Sequence, residues 1–271
     1  MNRNFVIVRG GGDIATGTVL KLHNCGFFVL VLETGSPAAI RRNVSFSEAV
    51  YTGSQTVEGV RISLADDIEH AVRLLERDGA AVLVDPAGES IWKLKPFAVI
   101  DGIMAKRNLG TRIDMAPVTV AMGPGFTAGK DVHAVIETKR GHSLGRIIWE
   151  GEAAPNTGIP GNIGGFTSER VIHSPAAGVM RNIKGITESV TGGDIIAYVD
   201  TEDGAVPVTA SISGILRGLI YDGYEVTKGF KIADIDPRVD ERENCFTVSD
   251  KARCIAGGVL EALLTIGRKI P

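Results

Sequence analysis

The amino-acid sequence predicts an α/β fold in three parts: a parallel-sheet domain, a small all-β domain and a C-terminal helix. Three observations lead to this prediction. Apolar runs alternate with helical patterns over residues 1–105, as in a sheet that is buried on both faces. A glycine-rich unit is duplicated between residues 174 and 236. Residues 249–264 then carry apolar side chains at helical spacing.

The first element is an apolar strand over residues 5–9, which runs into a glycine-rich turn. The turn reads G-x-G-x-x-A from Gly10 to Ala15 and opens a predicted helix over 13–25. A second apolar run, 27–32, follows that helix. Strand, turn, helix and strand in this order are the context of the nucleotide-binding fingerprint, so the sequence predicts a Rossmann-like domain.

Each position of the turn suits phosphate binding. Gly10 permits the tight turn, Gly12 lets a pyrophosphate approach the backbone, and Ala15 lets the helix pack closely on the strand. The N–H groups at the helix start would then face the anion. Gly11 and Asp13 complete the predicted site, although a carboxylate beside a pyrophosphate is unfavourable unless it points away or carries a cation. The alternative is a Rossmann-like unit that has lost its ligand.

Three acidic residues end or follow apolar strands: Glu33, Asp85 and Asp101. The carboxyl ends of parallel strands meet at one edge of the sheet, where open α/β sheets bind their ligands. Glu33 lies 21 residues after Gly12. This spacing places Glu33 to accept hydrogen bonds from a ribose.

A second glycine-rich turn, Gly123–Gly129, follows the strand 117–122 and precedes a predicted β-hairpin over 132–149. Basic residues follow the strand that ends at Asp101 and also occupy the tip of the hairpin. With the backbone N–H groups of the turn, they would clamp a phosphorylated ligand. The alternative is a set of ordinary solvated turns. The predicted anion-binding residues of this region are Lys106, Arg107, Asn108, Gly123, Gly125, Arg140 and His142.

The duplicated unit repeats after 36 residues without a gap. Gly178–Arg181 matches Gly214–Arg217, and residues 190–200 match residues 226–236. This glycine and valine spacing resembles the biotinyl/lipoyl type of β barrel-sandwich. The joint between the halves, 200–207, has no lysine, so we predict neither lipoate nor biotin. The other interpretation is a rigid docking or oligomerisation module.

The last helix is predicted to begin after Ser249, which is its N-cap. Its apolar face should pack back on the first domain. We therefore predict a Rossmann-like domain with an added β-hairpin over 1–168, a duplicated barrel-sandwich over 169–238 and a C-terminal segment over 239–271.

Composition restricts the classes of function. The 271 residues carry a net charge of −3 and have a pI of about 6.0, which favours neither nucleic-acid nor membrane partners. We expect no signal peptide and no transmembrane helix, since no apolar run reaches about 18 residues. Three cysteines without C-x-x-C spacing fit a reducing cytoplasm, and Cys254 is expected in the core. No metal site is predicted.

Several motifs lie almost from end to end of the chain: Arg9–Ala15, Ala105–Asn108, Gly123–Phe126, Ile136–His142, Pro155–Gly158 and Ser249–Arg253. As a set they resemble the selenium-dependent molybdenum hydroxylase system proteins of the YqeB type. The resemblance implies an accessory role in molybdenum hydroxylase maturation, with a hydroxylase apoenzyme as partner. The ligand would be a phosphorylated pterin, molybdopterin or its cytosine dinucleotide. No particular reaction is implied.

Three other classes of function stay open at this point. A nicotinamide-dependent oxidoreductase would bind NAD(P) and need a proton donor, for which His133, His142 and Lys106 are candidates. An enzyme that transfers sulfur or selenium would need an activated cysteine, which the sequence does not support. A non-catalytic docking protein, with the duplicated module as its partner or homo-oligomer surface, is the third class.

Overall fold

The computed structural model describes residues 4–156, 158, 161 and 163–270. The chain forms two compact units, which we call unit 1 and unit 2. Unit 1 comprises Met1–Pro37, Ser45–Thr157 and Val248–Pro271, and unit 2 comprises Ala38–Val44 and Gly158–Thr247. This division differs from the predicted boundaries at 168 and 238, because a short early segment and the residues up to Thr247 belong to unit 2.

Unit 1 combines a large sheet with helices. Among its described residues the strands are β1 (Phe5–Arg9), β2 (Phe28–Glu33), β3 (Ser54–Val57), β4 (Val60–Ala65), β5 (Ala80–Val84), β6 (Ala98–Asp101), β7 (Val118–Met122), β8 (Thr127–Ala128), β9 (Ala134–Ile136), β10 (Ile147–Ile148) and β11 (Gly151–Glu152). The α-helices are α1 (Asp13–Asn24), α2 (Ala49–Thr52), α3 (Ile68–Asp78), α4 (Glu89–Leu94) and α5 (Asp250–Gly267), and short 3-10 helices cover Phe46–Glu48 and Ile113–Met115.

The Rossmann-like parallel sheet that the sequence predicted is wrong, because the sheet is mixed. Its nine strands follow the order β10-β9-β7-β6-β1-β2-β5-β4-β3, and the two edge strands run antiparallel to their neighbours. At β3 the cause is a local turn. Glu58 and Gly59 have φ angles of 47° and 83°, which fit a two-residue hairpin that reverses the chain. At the other edge β9 and β10 pair antiparallel, as the predicted hairpin over 132–149 requires. The direction of β3 was not predicted, because apolar periodicity carries no information on strand direction.

The seven strands from β9 to β4 do run parallel, and their order reverses at β1. The neighbours of β1 are β2 on one side and β6 on the other. A reversal of this kind leaves a crevice at the carboxyl ends of the central strands. The glycine-rich turn follows β1 at this point of the sheet.

Helix α5 packs tightly against α1. A Cβ added to Gly17 of α1 would lie 2.8 Å from the Cβ of Ala252. The Oγ of Ser249 accepts the N–H of Ala252 at 3.2 Å, which confirms the predicted N-cap. The close approach of the two helices places the first turn of α5 beside the first turns of α1. Within the described ranges, none of the helices combines the length and apolar character that crossing a bilayer requires.

Unit 2 consists mainly of short strands. In its described residues these are β12 (Val171–His173), β13 (Gly178–Asn182), β14 (Ser189–Val190), β15 (Ile195–Thr201), β16 (Gly204–Thr209), β17 (Gly214–Leu219), β18 (Glu225–Val226) and β19 (Lys231–Asp236). Short 3-10 helices cover Arg42–Val44, Ser168–Arg170 and Val239–Cys245.

The barrel-sandwich that the sequence predicted for this region is also wrong. The strands form two separate four-stranded antiparallel sheets, β12-β19-β17-β14 and β16-β15-β13-β18, which share one apolar core. The reason lies in how the two repeats pair. In each repeat a long strand pairs with its own partner, β13 with β15 and β17 with β19. The short strands cross over, because β14 pairs with β17 and β18 pairs with β13.

The glycines that begin the repeats have a shared structural role. A Cβ at Gly178 would collide with the carbonyl oxygen of Asp200, and a Cβ at Gly214 would collide with that of Asp236. The ion pairs of the repeats also correspond, since Arg181 binds Asp200 as Arg217 binds Asp236. The glycines that are repeated in the sequence therefore make the same close backbone contact in both halves of unit 2.

Candidate functional site

The first two glycines of the turn are held by their neighbours. Gly10 has a φ of 88° and donates its N–H to Leu32 O at 2.8 Å. A Cβ there would lie 2.9 Å from the Cα of Ile103. Gly11 accepts the N–H of Ser47 at 2.9 Å, and a Cβ there would lie 2.9 Å from the same nitrogen. These two glycines are needed because other backbone lies against them.

Gly12 differs from both, because its Cα faces open space. It is the N-cap of α1, has an ordinary φ of −64° and would bring a Cβ within 4 Å of nothing in the described chain. Gly12 has no side chain with which to cap the helix start, and the described residues show no side-chain cap there. The first N–H groups of a helix have no acceptor within the helix and carry its positive dipole end. The open side of the turn is therefore suited to an anion.

Ala15 and Asp13 lie in the first turn of the same helix. Ala15 is buried, and a Cβ added to Gly102 would lie 2.9 Å from its Cβ, so α1 packs closely on the loop after β6. Asp13 provides the acidic group in the first turn of α1. Its carboxylate interacts electrostatically with Lys251 of α5, which supplies the cation that this acidic position requires beside an anion.

The structure gives Glu33 a different contact from the predicted ribose. Its Oε2 accepts the N–H of Gly11 at 2.8 Å, and its Oε1 accepts the N–H of Thr34 at 2.9 Å. Burial raises the pKa of this carboxyl, while the two hydrogen bonds act in the opposite direction. Glu33 thus binds the glycine-rich turn and connects the end of β2 to the residues that follow β1.

A buried network holds the loop that follows β6. Arg9 Nη1 donates to Thr111 Oγ1 at 2.6 Å, and that hydroxyl donates to Asp101 Oδ2 at 2.5 Å. All three residues are almost completely buried. Burial raises the pKa of Asp101, and the hydrogen bond from Thr111 and the charge of Arg9 oppose this. Arg9 also donates to the carbonyls of Pro86 and Leu109, so it connects three loops at this edge of the sheet.

Asn108 has a structural role in its loop, and its role in anion binding stays a prediction. Its side-chain oxygen accepts the N–H groups of Gly110 and Thr111 at 2.8 Å each, and its amide donates to Thr111 O at 2.8 Å. Met104 and Lys106 in the same loop have φ angles of 61° and 62°, in the left-handed region that non-glycine residues seldom adopt. The side chain of Asn108 therefore shapes a constrained loop.

The structure brings Lys106 and Arg107 together with the second glycine turn. A Cβ at Gly125 would lie 2.6 Å from the Cα of Arg107, so the two loops touch through their backbones. Gly123 lies against Thr138, where a Cβ would be 2.7 Å from the hydroxyl oxygen. Both basic side chains are exposed. Within the described residues neither has an ion pair, which leaves two cations available to a ligand.

Arg140 and His142 have other surroundings in the structure. Arg140 makes a two-fold contact with Asp250 at the start of α5, at 3.0 and 3.2 Å. His142 is exposed and its side chain has no hydrogen bond to the described residues. The convergence of these residues with Lys106 and Arg107 on the Gly123–Gly129 loop stays a prediction.

Sequence reasoning missed Lys251. It is half-buried in the first turn of α5. Burial and the charge of Arg140 lower its pKa, while Asp13, Glu137 and Asp250 raise it. A lysine in the first turn of a helix opposes the helix dipole, and this position was the one signal in the sequence that could have pointed to it. Lys251 places a cation beside the start of α1.

Of the groups that the alternative functions would need, Lys106 lies beside the second glycine turn, whereas His133 and the cysteines have other positions. His133 Nδ1 accepts the N–H of Thr119 at 3.1 Å, near the amino end of β7 and away from the edge that carries the glycine turns. Burial lowers its pKa. Cys25 follows the carboxyl end of α1 and is exposed. Cys254, expected in the core, is exposed and donates to Leu144 O, whereas Cys245 is buried.

A cleft of about 450 Å³ opens at the end of β5, at the same edge of the sheet. It adjoins the turn site through Glu33, because Asp85 donates its N–H to Glu33 O at 3.0 Å. Asp85 accepts the N–H groups of Gly88, Glu89 and Ser90 and thereby orders α4. The cleft therefore lies one strand beyond the acidic end of β2.

A curated protein resembles this chain over nearly its whole length. The chain is 53% identical over 261 residues to the uncharacterized protein YqeB of Escherichia coli K12, covering 96% of this chain and 47% of that protein. The chain thus spans about half the length of this relative. No protein-family profile matches the chain.

Solved structures give only distant likenesses. An aspartoacylase family protein from Mesorhizobium loti is 10% identical over 86% of this chain and 84% of its own, with a TM-score of 0.29. The ligand-free ectoine utilization protein EutE (DoeB) from Ruegeria pomeroyi is 12% identical over 85% of each chain, with a TM-score of 0.28. TM-scores this low do not show a shared fold, so the fold of this chain is defined by its own strand order.

Proposed function

We propose that unit 1 binds a phosphorylated small molecule, a pterin cofactor or a nucleotide, with a phosphate at Gly12. The observation that carries this proposal is the open, uncapped start of α1 at the point where the strand order reverses. Backbone N–H groups at such a position bind anions without any special side chain. The absence of a Cβ at Gly12 lets a phosphate reach them.

Local cations would supply the remaining attraction. The protein has a net charge of −3, so its bulk field does not attract phosphates. Lys106 and Arg107 are exposed beside the second glycine turn, and Lys251 lies beside the start of α1. Arg suits two-fold contacts to phosphate oxygens, and Lys acts as a point charge. These donors fit the phosphate group that molybdopterin, its cytosine dinucleotide and NAD(P) have in common.

The biological role that we propose is accessory: maturation of selenium-dependent molybdenum hydroxylases, with the hydroxylase apoenzyme as partner. The support is the resemblance of the motif set, in particular Arg9–Ala15 and Ile136–His142. The phosphate site fits this role because the cofactor of these enzymes is a phosphorylated pterin. The curated relative is uncharacterized and about twice as long, so the activity of the whole protein is part of the proposal.

Two measurements test the ligand. Mass spectrometry of small molecules released from untagged protein should detect a pterin phosphate or a nucleotide. Isothermal titration with inorganic pyrophosphate should show binding that Gly12→Val abolishes. Valine at this site meets no atom of the described protein within 4 Å of its Cβ, so the variant should remain folded. Equal pyrophosphate affinity in both proteins, or no binding to the parent, would overturn the proposal.

A further inference from the structure

The surface formed by α4 and the loop after β6 combines exposed apolar side chains with cations. Trp92 of α4 is 46% exposed, and Leu109 in the loop is 44% exposed. Arg112 connects the two, because its Cζ lies 5.3 Å from the centre of the Trp92 ring and it follows Leu109 by three residues. We call this surface the tryptophan patch, and its members are Trp92, Lys93, Lys95, Lys106, Arg107, Leu109 and Arg112.

The loop that carries Leu109 is held by buried neighbours. Arg9 Nη2 donates to Leu109 O at 3.4 Å, and Arg9 Nη1 donates to Thr111 Oγ1 at 2.6 Å. The side chain of Asn108 accepts the N–H of Thr111 at 2.8 Å. The loop is therefore ordered before any partner arrives, which lowers the entropic cost of binding to it.

The two segments that form the patch are basic. Residues 92–95 have two lysines, residues 105–113 have one lysine and two arginines, and neither segment has an acidic residue. All five cations are exposed. Arg112 pairs with Asp114 at 3.0 Å, and within the described residues the other four have no ion pair. Because the whole chain has a net charge of −3, the patch is a local excess of positive charge that favours an acidic partner.

We propose that the tryptophan patch docks a partner protein through an acidic surface with an apolar pocket for Trp92. Tryptophan and arginine are among the residues that contribute most to affinity in protein interfaces. A nucleic acid or an anionic membrane fits less well, because its continuous negative charge would repel the acidic protein as a whole.

The patch also adjoins the proposed phosphate site. Lys106 and Arg107 belong to both, so a docked partner would lie next to the bound ligand. Under the proposed function, on which this inference rests, the partner is the hydroxylase apoenzyme that receives the ligand.

The test measures the affinity of purified molybdenum hydroxylase apoenzyme for the protein by biolayer interferometry. We expect Trp92→Ala to bind the apoenzyme about tenfold or more weakly, the loss typical of a central interface tryptophan. Trp149→Ala removes a tryptophan of similar exposure, 44%, from another part of the sheet and is the matched control. It should bind as the parent does. Equal affinity of the parent and Trp92→Ala would overturn the inference.

A second variant tests the charge of the partner. Lys93→Met/Lys95→Met should lower the association rate constant about threefold or more at low salt, because it removes two attracting charges outside the phosphate site. The difference should largely vanish near about 0.5 M salt, where exposed charges are screened. An unchanged rate at low salt would overturn the acidic character of the partner.

Titration with inorganic pyrophosphate separates this inference from the phosphate site. Trp92→Ala should bind pyrophosphate as the parent does. No pyrophosphate binding by the parent would count against the phosphate site, whereas an apoenzyme that does not bind the parent would count against the docking surface. Binding of single-stranded RNA or of phosphatidylglycerol vesicles that Trp92→Ala weakens would also overturn the inference, since the patch would then serve a different class of partner.

Discussion

Arg9 and Asp101 end two neighbouring parallel strands in register, and the hydroxyl of Thr111 joins their side chains. The hydrogen bond from Arg9 to Thr111 links positions 102 residues apart through side chains that are almost fully buried. It fixes the loop that carries Lys106 and Arg107 against the end of the central strand. Arg9, the charged residue before the glycine-rich turn, therefore positions this loop at the candidate site.

Removing the joining hydroxyl should destabilise unit 1 strongly. In Thr111→Val the shape is kept, but two buried charged groups lose a hydrogen bond, which costs about 2–3 kcal/mol. Urea unfolding measures the loss in free energy of unfolding. Thr56→Val, on the exposed side of an edge strand, is the control and should change stability by less than about 0.5 kcal/mol. Equal stability of the two variants would contradict the role given to Thr111.

The stability of the protein should depend on pH through Glu33. Burial raises the pKa of this carboxyl above its ordinary value of 4.5, so the unfolded chain loses the proton first as the pH rises. As the pH rises from 4.5 to the raised pKa, Glu33 therefore lowers the free energy of unfolding progressively. Above the raised pKa this loss stays constant.

Comparison with Glu33→Gln isolates this contribution, because glutamine cannot ionise. We expect the stability of the variant relative to the parent to increase with pH through that window. Unfolding in urea between pH 4 and pH 8 gives the two curves. A constant difference across the range would show that the pKa of Glu33 is the same in the folded and unfolded states.

The crossing of α1 and α5 should reverse the usual effect of a glycine-to-alanine change. Alanine normally stabilises a helix interior by up to about 1 kcal/mol relative to glycine. Gly17→Ala should instead destabilise by about 1–3 kcal/mol, because its Cβ would lie 2.8 Å from that of Ala252. Gly257→Ala in α5, where a Cβ meets nothing within 4 Å, should show the ordinary stabilisation. Ala252→Gly should partly rescue Gly17→Ala. If Gly17→Ala did not destabilise the protein and Ala252→Gly gave no rescue, the close crossing would be refuted.

Lys251 should contribute to anion binding from the C-terminal helix. Lys251→Met keeps most of the side-chain volume and removes the charge, so pyrophosphate should bind about tenfold more weakly. The stability of the unliganded protein should change little, since the ammonium interacts with both cationic and anionic neighbours. Lys269→Met, an exposed lysine after the same helix, is the matched control. Calorimetric titration gives both affinities, and equal values would remove Lys251 from the site.

The sequence was informative where structure is local. The strand over residues 5–9, the turn after it and the Ser249 cap are confirmed, because backbone conformation there follows from neighbouring residues. The reversal of β3 at one edge of the sheet was not predicted, since the apolar pattern of a strand does not encode its direction, whereas the predicted hairpin over 132–149 forms the other edge. In the site, the open space at Gly12 is compatible with the predicted approach of a phosphate, which stays a prediction. The binding of Glu33 to Gly11 depends on a contact between strand ends that only the fold creates.

The exchange of short strands between the repeats of unit 2 has a consequence for folding. Neither repeat can complete a sheet alone, because β14 is needed by β17 and β18 is needed by β13. Both copies must therefore gain structure in a single cooperative transition, with a nucleus that requires contacts between halves 36 residues apart. In a chain cut at the turn between Thr201 and Gly204, the two halves of unit 2 should each lack their sheets and should form them only when the fragments are mixed.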